Sequence, residues 1–164
     1  MLGLINPILP YLAITISVWI TYVYTLKCGF VSDDLAGITE YDGKLQGYEY
    51  GMLSRWIRYH LCGGNFPSKR TFKLQDGKDF TIPQGKVPTY HHFLSILVFN
   101  IGCLLLYQFL STQLNPNIAL LTVLLFTVHP ICTQAVAWCS GLGYPLSLVW
   151  AGAILNLTPW VYDN

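Results

Sequence analysis

Two acids stand side by side in Phe30-Val-Ser-Asp-Asp34, two histidines in His91-His92, and a further histidine opens His129-Pro130-Ile131-Cys132. Adjacent carboxylates can bind a divalent cation, or divide the work of a base and its electrostatic partner. The plainer alternative is local: Ser32 or Asp33 can cap a short helix whose first turn welcomes the charge of Asp34. A histidine at a helix end is an interfacial anchor as readily as a catalyst. His129-x-x-Cys132 lacks the second cluster that a zinc site needs, so no metal site is assigned. The five cysteines form no CxxC pair. If the segment that holds Cys28 and Cys62 is exported, those two are available for a disulfide.

What positions these residues is set by charge distribution. All nine Lys and Arg lie between Lys27 and Lys86, and Asp163 is the one acid outside that stretch. The chain is 53% hydrophobic and only 10% charged, far from the roughly quarter-charged composition of soluble domains. A bilayer core of about 30 Å needs about 20 mostly apolar residues per helix. Apolar runs predict spans over residues 8–26, 93–110, 118–128 and 145–160. The polar loop 27–91 separates the first two, and a short turn around Asn115-Pro116 separates the next two. Parity then places Asp33, Asp34, His91, His92 and His129 at one membrane face. The near-neutral net charge gives no reason to expect a nucleic-acid partner.

Within the loop, Leu45, Tyr48, Met52, Leu53, Trp56, Ile57 and His60 recur at helical spacing, while Lys44, Arg55 and Arg58 fall away from that stripe. This pattern predicts an amphipathic helix over 45–61 lying in the membrane interface. Alternation of apolar and polar residues from Phe72 to Ile82 around Asp76-Gly77 predicts a small β-hairpin. The fold class expected is an all-α membrane protein of about four transmembrane helices, with a large loop that holds these two elements.

In combination these features resemble a known family. A span, then Phe30-x-x-Asp33-Asp34, then loop helices and a second span beginning Tyr90-His-His-Phe-Leu-Ser-Ile-Leu-Val-Phe-Asn100 is similar to the N-terminal part of GT-C fold glycosyltransferases. The nearest likeness is to the transmembrane O-mannosyltransferases with tetratricopeptide repeats and their bacterial relatives. A second run, Leu124-Leu-Phe-Thr-Val-His-Pro-Ile-Cys-Thr-Gln-Ala-Val-Ala-Trp-Cys-Ser-Gly141, resembles their L-L-F-x-x-H-P-x-H-x-E-A-V-A-W-x-S-G-R. Cys132 stands where a second His is usual, Gln134 where Glu is usual, Leu142 where Arg is usual, and His91-His92 where Arg-Pro is usual.

The resemblance implies a glycosyltransferase that moves a sugar from a polyprenyl-phosphate carrier to an acceptor at the extracytoplasmic face, so loop 27–91 is expected to be lumenal or periplasmic. It implies Asp33 as general base, Asp34 as its orienting partner or a ligand to a divalent cation, and His91, His92, His129 and Gln134 as substrate-binding residues. Membrane lipid and lipid-linked sugar are the partners it implies. The missing arginines leave open a second class, a non-catalytic membrane subunit that keeps the fold and packs against partner membrane subunits. A transporter or channel has the least support, because no span carries a charged residue.

Overall fold

The computed structural model describes residues 7–31, 34, 52–62, 68–73, 77, 79–84 and 87–163. They form helix α1 (Leu9–Tyr22), continued by a 3₁₀ segment (Val23–Lys27), then α2 (Met52–Cys62), strands β1 (Ser68–Lys73) and β2 (Asp79–Gln84), and α3 (Val87–Gln113). Next come α4 (Pro116–Val128), α5 (Pro130–Ala137), a 3₁₀ turn (Cys139–Leu142) and α6 (Gly143–Asp163). The described residues are mostly helical.

Helix starts follow from proline placement. Proline lies in the first positions of α1, α4 and α5, where the N–H it lacks has no intrahelical partner in any case. The α4–α5 break has the same cause. Pro130 drives His129 out of the helical region, to φ −68° and ψ 132°, as expected for a residue before proline, and the two helices bend by 62°. Carbonyls freed by the break find other donors. The Tyr22 hydroxyl donates to the Thr127 carbonyl at 3.0 Å, and the Cys132 thiol donates to Phe126 at 3.3 Å.

Each of α1, α3 and α4 buries one seam. Ile14, Val18 and Tyr22 of α1, Ile96, Phe99, Cys103 and Tyr107 of α3, and Ala119 and Val123 of α4 share one core. Their spacing of three, four or seven residues is that of a single helix face. The opposite faces are just as apolar yet exposed: Leu12, Ile16 and Ile20 on α1, Ile118, Leu121 and Leu125 on α4, Ile154 and Leu157 on α6. So wide an apolar belt is a liability in water and suits a lipid environment. Two helical stretches are long and apolar enough to cross a membrane, Leu9–Lys27 and Pro88–Gln113, and a third qualifies if α4 and α5 count as one bent span. α6, which carries Pro145, Asn156 and Pro159, is not among them.

α3 and α6 approach closely at two glycines. A Cβ on Gly102 would lie 2.8 Å from Leu148 Cγ, and one on Gly152 would lie 2.8 Å from Leu105 Cβ. Asn156 Nδ2 then donates across this seam to the Leu105 carbonyl at 2.9 Å.

Several sequence expectations shift here. Helix α3 begins at Val87, so His91 and His92 lie inside its first turns and not at a loop end. α2 matches the later part of the expected interfacial helix, and Leu45 to Gly51 lie outside the described residues. Its orientation adds what the stripe alone did not specify. Ser54 and Arg58 are buried, whereas Leu53, Trp56 and Leu61 are exposed, so the polar face turns toward the protein and the apolar stripe away from it. Where lipid replaces water on the outside, nothing drives an apolar face inward, while a buried polar partner does attract a polar one. β1 and β2 pair antiparallel from Ser68 opposite Gln84 to Lys73 opposite Asp79. Gly77 between them takes φ 80°, a conformation that glycine adopts without penalty; Asp76 lies outside the described residues. Cys28 and Cys62 are both free thiols, so the disulfide is not formed.

Candidate functional site

The polar residues of α2 and of the first turns of α3 meet the Cys139–Leu142 turn and the stretch just after α1. Asp34 is fully buried. Its Oδ2 accepts from the Val31 N–H at 3.2 Å, while its own N–H donates to the Val31 carbonyl at 3.0 Å. This reciprocity is that of an acidic residue closing the first turn of a helix. The other oxygen reaches 106 residues along the chain, where Oδ1 accepts from the Ser140 N–H at 2.5 Å. Gly141 lets this turn pack closely on α5, because a Cβ there would lie 3.1 Å from the Ala135 carbonyl oxygen.

Beside it, Arg58 is buried to 2% exposure. Nη1 donates to the His91 carbonyl at 3.2 Å and Nη2 to the Ser95 hydroxyl at 3.0 Å, and Ser95 donates in turn to His91. These bonds clamp α2 onto α3. Both acceptors are uncharged, and Nε has no partner among the described residues. Burial pushes Arg58 down to about 10, with Cys139, Cys62 and Asp34 acting in the opposite direction; the guanidinium therefore stays cationic at neutral pH.

His91 is 1% exposed, its ring edge-on to Phe30 with centroids 5.3 Å apart. Neither ring nitrogen has a partner among the described residues. His92 is equally buried, and its ring nitrogens lie 3.4 and 3.5 Å from the Cys139 sulfur. Burial pushes the Cys139 thiol up to about 12 despite the pull of Arg58, so it is an inert partner of His92 and not a nucleophile. The Cys62 thiol is raised for the same reason.

The expected site is thus assembled in part. Asp34, His91 and His92 converge. Asp33 lies outside the described residues. His129 is exposed, and its Nδ1 accepts from the Ile131 N–H at 3.2 Å to cap α5. Gln134 is exposed on α5 and enters none of the cluster's bonds. Arg58, Ser95, Cys139 and Ser140 are the members that sequence reading missed. Among the described residues no group of three or more His, Cys, Asp or Glu is placed to hold a metal ion. A buried carboxylate anchored by backbone donors beside a buried cation can fix the geometry of a polar reaction and hold negative charge. Comparison with family models, with curated proteins and with solved structures finds no match to this chain.

Proposed function

We propose that this chain forms all or part of a GT-C-like membrane glycosyltransferase, with α1, α3, the bent α4–α5 pair and α6 as four spans and the segment that contains α2, β1 and β2 on the extracytoplasmic side. α2 then rests in the interface with Leu53, Trp56 and Leu61 toward lipid. The reaction is an inverting transfer of a sugar from a polyprenyl-phosphate carrier. Asp33 takes the acceptor proton, the sugar passes through an oxocarbenium-like state, and the phosphate leaves toward neighbouring positive charge or a divalent cation. Asp34 is anchored to the Ser140 turn and orients Asp33 or holds the cation.

One observation carries the reading: Asp34, Arg58, His91 and His92, distant in sequence, are buried together against the half-buried Ser140 turn, where α1 and α3 meet the polar segment. A non-catalytic membrane subunit is the second reading. It is favoured by the burial of Cys132 and Leu142, which stand as uncharged packing residues where the resemblance leads one to expect His and Arg.

The test is sugar transfer by full-length protein carrying Asp33→Asn. Asn caps a helix about as well as Asp but cannot take a proton. Expression and melting should therefore hold while the rate falls by about 10²- to 10⁴-fold. Transfer within about threefold of wild type, far below that general-base range, removes Asp33 as base; no transfer by the wild type with any polyprenyl-phosphate sugar leaves the subunit reading. Sidedness is read on sealed vesicles in the same preparation. Labelling of exposed Cys28 by an impermeant maleimide only after the vesicles are breached would reverse the orientation.

A further inference from the structure

We propose that Arg58 and His91 form a seat for a phosphate ester, the anion being held by Arg58 Nε and a His91 ring nitrogen. The inference rests on the glycosyltransferase reading for its choice of ester, and on this chain's own geometry for the seat.

A buried guanidinium normally faces a carboxylate or a phosphate, because an unpaired charge in a low-dielectric interior is costly. Arg58 is 2% exposed, yet both partners of its Nη groups are neutral oxygens and its Nε–H is unclaimed among the described residues. The only described carboxylate in the cluster, that of Asp34, has an oxygen committed to each of two backbone donors. His91 contributes two further nitrogens with no described partner, on the residue whose carbonyl Arg58 grips. A cation and an imidazole, both shielded from water and both with spare hydrogen-bonding capacity, make an anion site. The planar fork suits the paired oxygens of a phosphate.

The surroundings choose between sources of that phosphate. A free phosphate ion is strongly hydrated and gives up that hydration at high cost to enter a closed site, whereas a diester on a hydrophobic chain is less charged and arrives already partitioned into lipid. Exposed Tyr90 and Phe93 flank His91 on α3, and exposed Leu53 and Trp56 lie on α2 on either side of the buried Ser54. The outward faces of the two helices that hold the seat thus offer apolar surface along which a lipid chain would lie. Its position on α2 moves the phosphate end of the site away from His129, which is exposed and engaged in capping α5.

Binding of dodecyl phosphate, inorganic phosphate and dodecanol to the full-length chain in neutral detergent, read by native mass spectrometry, tests the proposal. Dodecyl phosphate should bind saturably and dodecanol should not. Arg58→Gln should weaken binding at least about tenfold, as expected for loss of a charged hydrogen-bond donor, while Arg58→Lys keeps the charge and most of the affinity. Inorganic phosphate binding as tightly as the lipid ester supports the seat and assigns it to free phosphate. No saturable binding of either phosphate by the wild type, or Arg58→Gln binding within about threefold of it, less than one charged hydrogen bond is worth, overturns the seat. The wild-type and Arg58→Lys arms decide the matter even if Arg58→Gln does not fold. Arg58-dependent binding without any sugar transfer sinks the glycosyltransferase reading and leaves the seat; undiminished transfer by Arg58→Gln does the reverse.

Discussion

In its first three turns α3 buries His91, His92 and Ser95 against Arg58, Cys139 and Phe30, whereas from Gly102 onward it is held by glycine-to-leucine contact with α6 and by an edge-to-face pair between Tyr107 and Tyr11 of α1. At the first end partners are few, polar and distant in sequence. At the second they are apolar and depend on fit. Lipid supplies little force that brings helices together, so small residues and close contact must do it at the apolar end. A few hydrogen bonds do it at the polar end, and there each lost bond strands a buried group. The two ends should therefore fail differently.

The largest expected loss is at the polar end. Asp34→Ala takes the carboxylate acceptor from the partly buried Ser140 and Val31 N–H groups; a hydrogen bond to a charged group is worth about 1.5–3 kcal/mol, so a total loss of about 3 kcal/mol in a detergent-unfolding midpoint is expected. Asp34→Asn should fall between, since its carbonyl oxygen keeps one donor while its NH₂ opposes the other. A loss under about 0.5 kcal/mol, the range of ordinary surface changes, would show that the Asp34 bonds do not hold this end. Gly152→Val probes the other end. The added Cβ meets Leu105 Cβ at 2.8 Å, and overpacking of this kind costs about 1–3 kcal/mol. It should separate α3 from α6 and leave Arg58-dependent phosphate binding intact. Loss of that binding would mean that the two ends are mechanically coupled.

The apolar end was open to reading from sequence because lipid-spanning helices announce themselves in length and hydropathy, and because an Asn-Pro turn admits only antiparallel neighbours. Parity grouped Asp34 with His91 and His92 at one end of the helices, but it could not say that they pack together. The inward face of α2 was hidden for a physical reason. A periodic pattern separates two faces, but which of them turns inward depends on what lies outside, and that the pattern does not record. The visible clue was Ser54, Arg58 and Cys62 at successive spacings of four, a face of small and polar residues. Ser140 left no clue at all, because it contributes a backbone donor, which every residue but proline has. His129 was read as a site residue from its motif, while a ring nitrogen two residues before a free N–H can equally well cap a helix, as it does here.

The smallest effect expected concerns pH and separates the polar end from a merely apolar one. Burial raises the Cys139 thiol to about 12 from an ordinary 9.0. The native state therefore holds this proton after the unfolded chain has released it. Its contribution to stability is complete below pH 9 and is lost progressively as pH rises toward 12. At pH 9.5 the loss amounts to about 0.8 kcal/mol, from a limiting slope of about 1.4 kcal/mol per pH unit. Cys62, raised in the same direction, adds a term common to both proteins in a comparison with Cys139→Ser. Serine has nearly the same shape and can still bond His92, but it does not ionise in this range. The wild type should thus lose ground to Cys139→Ser between pH 7.5 and 9.5 by that amount, read as the difference in unfolding midpoints. A gap that stays constant over the interval would mean that water reaches Cys139, and the closed polar end that sets α3's first turns apart from its last would have to be redrawn.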